Sequence, residues 1–550
     1  YSTIQSDGYV DRATADLNSM FFSAARVTAK SSLRLNIISG KERTYQAWYG
    51  VPQAKIDRNS DDLLQHYYNN LGSIYKSESD SVNLFNSGRT YNYYTYPDQI
   101  DDYRQTHLQL IHALAIHPRW NVKSTLFYTK GRGFFEEFKY SDKLENYGLA
   151  SVTDDAGMTQ SRSNIVRRRW LDNDLLGLLI DAEYDIYHQW QLQAGLAINQ
   201  YIGDHFGQVL RSSVLIADFD KARKYYKNRG NKTDRSGYFR TIYQPSQQLS
   251  IHSDMQVRHV GYVLDGMDND LRMVSADENF LFFNPKFGAN YSWTQGQQLY
   301  LSWAVANKEP SRGDFIDNTF STSPQSEHLQ NWELGYRAQK GLTTIELSGY
   351  YMNYRNQLVL TGEVNDVGAP IRVNVPKSYR LGLESTLSHQ FHHRWALSAN
   401  AALSGNKISS FEEVIADYSV DFERVIIDHK NTNISFSPTF IGAIQLLYKP
   451  MKGLDVELSS KFVSKQYLDN TENSDRSLPA YHYQNLRLQY TLDSKYWREL
   501  RIICMVNNLL NRQYASNGYT YSYIFNDLIT ENFLYPQAGR HWMIGINAGF

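Results

Sequence analysis

The residues in this chain best suited to chemistry are ones that grip. Two ring-rich stretches stand out: Arg43-Thr-Tyr-Gln-Ala-Trp-Tyr49, which carries Tyr45, Trp48 and Tyr49, and Tyr91-Asn-Tyr-Tyr-Thr-Tyr96, which carries Tyr91, Tyr93 and Tyr94. Such rings stack on planar or catecholate ligands, and they serve equally to pack a loop against itself. On the residues alone both readings stay open. The strongest cationic run is Arg167-Arg168-Arg169-Trp170. In an extended chain Arg167 and Arg169 face one way and Arg168 the other. One side can then offer guanidinium forks to an anionic ligand, the other to lipopolysaccharide phosphates, or both can stand solvated. The acidic run DGMDND at 265–270 has three carboxylates that could hold Ca²⁺, but it lacks EF-hand spacing and is expected to be a solvated loop.

Bond-making chemistry finds no support. The chain has no His-Glu-x-x-His, no Gly-x-Ser-x-Gly, no paired cysteines and no phosphate-binding glycine loop. His392-His393 falls in an expected short turn, where both rings are solvated. The single Cys504 excludes an internal disulfide framework and lies in phase with Leu500, Ile502 and Val506 on an apolar face. The expectation is a ligand-handling protein with no catalytic residue, cofactor or structural metal.

The elements that must position these residues are strands. Phe287, Ala289, Tyr291 and Trp293 alternate with Lys286, Gly288, Asn290 and Ser292. Leu299, Leu301, Trp303 and Val305 repeat the pattern, as do Tyr379, Leu381 and Leu383, then Trp395, Leu397, Ala399, Ala401 and Leu403, then Leu454, Val456 and Leu458. Period two over 8 to 12 residues predicts strands with one apolar and one polar face. Their length suits a tilted bilayer crossing better than a soluble sandwich, whose strands run to about 5–6 residues.

Connection lengths point the same way. Short turns are expected near residues 29, 118, 188, 246, 296, 340, 392, 451 and 495. Between them lie long polar segments at 40–103, 132–165, 202–236, 309–328 and 508–538. Short turns on one side and long loops on the other belong to outer-membrane barrels. The mean hydropathy of −0.53 and the absence of any run of 18 apolar residues exclude apolar helices as the crossing elements, and they are what a barrel with alternating faces shows. The net charge of −1 gives no field for nucleic acid. The 42 tyrosines are the compositional anomaly, and they suit half-wet surfaces such as membrane interfaces. The expected fold is all-β, a transmembrane antiparallel barrel over residues 1–550 with about 20 strands in this chain.

The C-terminal stretch resembles one family specifically. NNLLNRQY at 507–514 and YPQAGRHWMIGINAGF at 535–550 are similar to the closing segment of TonB-dependent outer-membrane receptors. The matching positions are Val506, Asn507, Asn508, Leu509, Asn511, Arg512, Tyr514, Tyr535, Pro536, Gly539, Arg540 and Phe550, with Leu510 where the family more often has Phe. KEPSRGDFID at 308–317 with SEHLQNWELGYR at 326–337 resembles the family's mid-barrel loop, although Gln325-Ser326-Glu327 replaces the usual Lys-Pro-Glu. SDGYVDRATADLNSMFFSA at 6–24 and GKERTYQAWYGVP at 40–52 resemble early barrel strands of one branch.

The resemblance implies a 22-stranded barrel around an N-terminal plug. It places Tyr1 inside the third strand, with the plug, the TonB-contacting segment and the first hairpin outside this sequence. It also implies an outer-membrane location in a Gram-negative bacterium and TonB-driven import of a scarce nutrient. A ferric siderophore or similar metal chelate leads, with cobalamin next, then haem or a glycan. Haem is disfavoured by Lys308-Glu309-Pro310-Ser311, where the haem branch has a different motif. A plugless passive porin is the alternative from another class. Expected partners are the TonB complex through the plug segment, the chelate or vitamin ligand, and outer-membrane lipid and lipopolysaccharide, with a surface lipoprotein as a further candidate. In the family a terminal Phe such as Phe550 is read by the outer-membrane insertion machinery.

Overall fold

The computed structural model describes residues 1–153, 157–186, 189–216, 219–317, 323–419, 423–492 and 497–549. The chain forms two compact units: Tyr1–Ile242 with Asp254–Pro285 and Ser311–Asp317, and Tyr243–Ser253 with Lys286–Pro310 and Asn318–Phe550.

The first unit is a run of antiparallel neighbours. Ser2–Ser6, Ala15–Val27, Ser31–Tyr45, Ile100–His117, Trp120–Lys143, Arg162–Ile186 and Trp190–Ser212 pair in succession. The second unit repeats the logic through Gln297–Lys308, Glu327–Lys340, Thr343–Val364, Pro370–His392, Trp395–Asp417, Phe440–Met451, Leu454–Val463, Tyr481–Leu492, Glu499–Asn507 and His541–Gly549. Among the described residues 24 strands carry the main ladders. Four of them, Val51–Pro52, Glu423–Asn433, Ala515–Phe525 and Asp527–Pro536, lie within the long connections. The remaining strands number 20, as the turn spacing predicts.

Strand length is where the structure departs from expectation. Arg162–Ile186 has 25 residues and Trp120–Lys143 has 24, about twice the length read from the alternation. Most of the segments expected as loops at 132–165 and 202–236 are paired strand, and 508–538 contains the hairpin Ala515–Phe525 with Asp527–Pro536. The reason is that two arms of a hairpin satisfy each other's N–H and C=O groups wherever they run together. Beyond the lipid band neither face must be apolar, so the period-two signal fades while the ladder continues. The segment 40–103 instead folds into helices Gln53–Asp57, Ser60–Asn69 and Glu78–Asn86. The expected turns near 188 and 495 include residues 187–188 and 493–496, outside the described residues.

Leu108, Leu126, Leu176, Leu301, Leu334, Leu381 and Leu403 stand exposed on the outer face. In the terminal strand Trp542, Ile544 and Ile546 do so too, with Cys504 directly opposite Ile544; Phe550 lies outside the described residues. Aromatic pairs mark the short-turn end: Trp120–Tyr184 at 4.4 Å, Trp293–Tyr336 at 5.8 Å and Trp395–Tyr448 at 4.1 Å between ring centroids. Within each unit such pairs are of the kind that lines the interface of a membrane barrel. His392 and His393 sit in one such turn, exposed.

Many tyrosines face the other way and lie over glycines. Tyr300 is the direct cross-strand partner of Gly335, and its ring occupies the space where a Cβ there would fall, 2.0 Å away. Tyr350 covers Gly382 in the same manner. A ring laid over a strand glycine shields backbone that would otherwise stand bare. Buried apolar clusters occur where strands extend past the lipid band, as in Leu144, Tyr147, Ile165, Val209, Tyr225 and Tyr226, and in Val359, Val375, Ile408, Phe411 and Ile434.

Candidate functional site

The ring-rich stretches and the arginine run all belong to the first unit, at its long-connection end. Strand Ser31–Tyr45 delivers Tyr45, and the chain then turns through Trp48 and Tyr49 into the helical segment. That segment has its own small core of Val51, Tyr75, Leu84 and Tyr91. Its helices are capped locally: Asn59 accepts from the backbone of Asp61 and Asp62, and Ser77 and Asp80 form a reciprocal box. The returning stretch is tied to the first hairpin by Arg12. Its Nε donates to the Tyr94 carbonyl at 2.9 Å and its Nη2 to the Asn92 carbonyl at 2.8 Å.

The eight residues expected to hold ligand separate into two groups. Tyr45, Tyr91 and Tyr94 are buried, and the Tyr45 hydroxyl donates to the carbonyls of Tyr94 and Tyr96 at 3.1 and 2.8 Å. Burial raises the Tyr91 hydroxyl far above the ordinary phenol value, so it stays protonated. Trp48, Tyr49 and Tyr93 are only half-buried and cluster about Tyr94, with Tyr49 edge-on to Tyr93 at 5.2 Å, tilted against Tyr94 at 5.5 Å, and Trp48 edge-on to Tyr94 at 6.3 Å.

Arg167 is neutralised. Its Nε donates to Glu137 Oε2 at 2.9 Å, its Nη2 sits 2.8 Å from the same oxygen, and both residues are buried. This pair lies beyond the lipid band. Burial alone would raise the Glu137 carboxyl, but Arg167, Lys139 and Arg169 overcome it and hold the group well below the usual carboxylate range. Arg168 faces the opposite side of the strand, where it pairs with Glu136 at 2.8 Å and lies 3.9 Å over the Phe134 ring. Arg169 is half-buried, 5.0 Å over the Phe135 ring, with its Nε 3.4 Å from the Tyr226 hydroxyl.

Phe135 is the residue that sequence reading missed, and it joins the two motifs. Trp48 meets it edge-on at 5.1 Å and Arg169 lies over it at 5.0 Å. A signal was present: Glu136-Glu137 and Arg167-Arg168 sit on the two arms of one hairpin, and opposite charges on neighbouring strands predict register. The arrangement offers a half-buried guanidinium, an indole and two phenols, groups whose chemistry suits an anionic, ring-bearing solute.

Of the acidic run at 265–270, only Asp268 is taken up internally, while Asp265 and Asp270 are exposed. Asp268 is buried, accepts from Asn228 Nδ2 at 3.0 Å and lies 3.5 Å from Arg312, while Asp270 pairs with Arg272. Among the described residues no group of three or more His, Cys, Asp or Glu is arranged to hold a metal. Arg312 comes from the short helix Arg312–Ile316, whose Phe315 stacks on Tyr262 at 5.5 Å.

Comparison with known proteins adds the following. Residues 38–509 match the family model described as TonB dependent receptor-like, beta-barrel. No curated protein matches the chain in sequence. Among solved structures, the ferric-catecholate import receptor Fiu from E. coli K12 is 13% identical, with a TM-score of 0.67 over 98% of this chain and 76% of that one. The ferric citrate transporter FecA is 14% identical, with a TM-score of 0.68 over 98% and 70%. The ferric yersiniabactin uptake receptor FyuA from Yersinia pestis is 14% identical, with a TM-score of 0.64 over 98% and 70%. At this identity the likeness is one of fold: a transmembrane antiparallel β-barrel.

Proposed function

Because this chain belongs to the TonB-dependent receptor β-barrel family, we propose that it imports a ferric siderophore or a similar metal chelate across the outer membrane of a Gram-negative bacterium. Family members are receptors and transporters, and the protein is not an enzyme. Three structural neighbours that carry iron chelates support the ligand class. The carrying observation is the convergence of Trp48 and Arg169 on Phe135, with Tyr49 and Tyr93 half-exposed beside it. A ferric catecholate or carboxylate complex is anionic and presents flat faces, so a guanidinium among rings suits it.

In this reading the long connections capture the chelate, and TonB powers its passage through the barrel. The family assignment supports TonB as the partner. The test is uptake of ⁵⁵Fe-labelled catecholate and citrate chelates, with labelled cobalamin in parallel, in a receptor-deletion strain carrying the gene or an empty vector. Restored iron uptake that requires TonB is expected. Cobalamin uptake alone, or uptake that persists without TonB, would replace the reading with a vitamin receptor or a passive porin.

A further inference from the structure

Strand pairing sets Phe135, Arg169 and Gly207 side by side in one row, and Glu137, Arg167 and Val209 in a second. Each row shares one face of the ladder, and the second lies two residues, about 7 Å, further along it. Over the second row is a cavity of about 340 Å³, lined chiefly by Leu149, Val152, Val209, Ile216, Phe219 and Tyr225. It adjoins the candidate ligand site through two rings. Tyr225 in its wall lies 5.0 Å from the Tyr226 ring, and the Tyr226 hydroxyl is 3.4 Å from Arg169 Nε. Both rings rest over Gly207, in the space a Cβ there would fill.

Two segments build the cavity. The chain that follows the short helix Leu144–Tyr147 supplies Leu149 and Val152, and the chain from Val209 to Tyr225 supplies the facing wall. Arg223 ties them together, its Nη2 donating to the Gly148 carbonyl at 2.8 Å. Leu144, Tyr147 and Ile165 are fully buried in the same cluster as Val209 and Tyr225, so the cavity stands on a close-packed base.

Polar groups at the cavity are already engaged. The Tyr147 hydroxyl donates to Asp142 Oδ2 at 2.6 Å, and the Asp220 carboxylate accepts from the Ala222 backbone at 2.8 Å. Arg167, 5.9 Å from the centre of the Tyr147 ring, is matched by Glu137. A charged group would be desolvated there without a partner, whereas an apolar one leaves water for apolar walls. A cavity of about 150 Å³ with such walls holds a benzene, so this one has room for an apolar group about twice that size. Leu126 and Leu176, exposed on the outer face, alternate in phase with Glu136 and Arg168. The cavity therefore lies on the face turned away from lipid, beside Arg169, and its fitting occupant is part of the solute bound there.

We propose that the cavity holds an apolar arm, an acyl chain or an aromatic group, of the same chelate whose anionic head meets Arg169. With import of a metal chelate as the premise, the transported class is an amphiphilic chelate.

The full-length protein in lipid nanodiscs is titrated with ⁵⁵Fe complexes of two synthetic heads, a tris-catecholate and a citrate dihydroxamate. Each head is made with an acetyl and with an octanoyl group at the same position. The octanoyl form is expected to bind about tenfold tighter or better, which burial of about two methylene groups suffices to supply. Ile216→Trp fills the cavity from one segment and Val152→Phe from the other, and each brings the ratio of the two affinities to about one. Leu215→Trp adds bulk at a side chain that is 91% exposed and outside the cavity, and it keeps the ratio. Equal affinity of the acetyl and octanoyl forms in the wild type overturns the arm and leaves the chelate reading standing. A preference that persists in both filled variants also overturns it, because the chain is then held by lipid. No binding of either head, with or without the chain, overturns the chelate reading and the arm with it.

Discussion

Trp48 and Arg169, 121 positions apart in the sequence, share one ring. The indole meets the edge of Phe135 at 5.1 Å, and the guanidinium lies over the same ring at 5.0 Å. Removing Phe135 removes both contacts. Phe135→Ala is expected to weaken ferric chelate binding about thirtyfold, as the loss of a cation–π and an aromatic contact of about 1 kcal/mol each would do at this exposure. Phe135→Tyr keeps the ring and most of the affinity. Calorimetric titration with the chelate identified by uptake checks both. Unchanged affinity in Phe135→Ala would place the ligand elsewhere.

Glu137 and Arg167 form a buried pair, so losing one partner strands the other. Arg167→Met or Glu137→Gln alone is expected to cost about 3–5 kcal/mol, while the double variant recovers most of it. The depressed Glu137 carboxyl sets a pH dependence as well. A carboxylate whose folded value lies below its unfolded value stabilises the fold above the unfolded value, and that contribution is lost as pH falls through the folded value. The stability this pair gives the extension should therefore be complete at neutral pH and decline progressively as pH falls below the ordinary carboxylate value. Proteolysis of intact cells over an acid series, comparing wild type with Glu137→Gln, reads the difference.

Arg12 has a left-handed backbone, φ +64°, and its side chain holds the carbonyls of Asn92 and Tyr94. Arg12→Asn suits that backbone conformation but removes the reach. It is expected to free the stretch around 88–99, at about 1.5–3 kcal/mol per charged hydrogen bond lost. Faster cleavage of that stretch in limited proteolysis, with the wall intact, is the outcome sought. An unchanged digestion pattern would show that the ring stretch is held by its own packing.

Gly335 cannot accept a Cβ while Tyr300 lies over it. Gly335→Val is expected to destabilise by about 1–3 kcal/mol, the usual cost of overpacking, and Gly335→Val with Tyr300→Ala should recover part of it. The heat-modified mobility of the folded barrel on denaturing gels gives the readout. Rescue by Tyr300→Ala separates a steric clash from a general loss of strand propensity.

Alternation in 286–305 and 379–403 and the segregation of turn lengths were enough to predict antiparallel strands in a membrane wall. Both are local, because a strand facing lipid must repeat every second residue and a hairpin turn needs only its own few residues. Which tyrosines remain available was not local. Tyr45, Tyr91 and Tyr94 became packing and Trp48, Tyr49 and Tyr93 stayed half-open, because a helical segment with its own core folded between the two stretches. The two charge arrangements that matter most are also products of register. Arg167 meets Glu137, and Arg168 meets Glu136 on the other face, only because the ladder aligns residues far apart in the chain. A shift of one residue in that ladder would turn those side chains to opposite faces. The period-two pattern said which face each residue takes, and strand pairing alone decided its neighbour there.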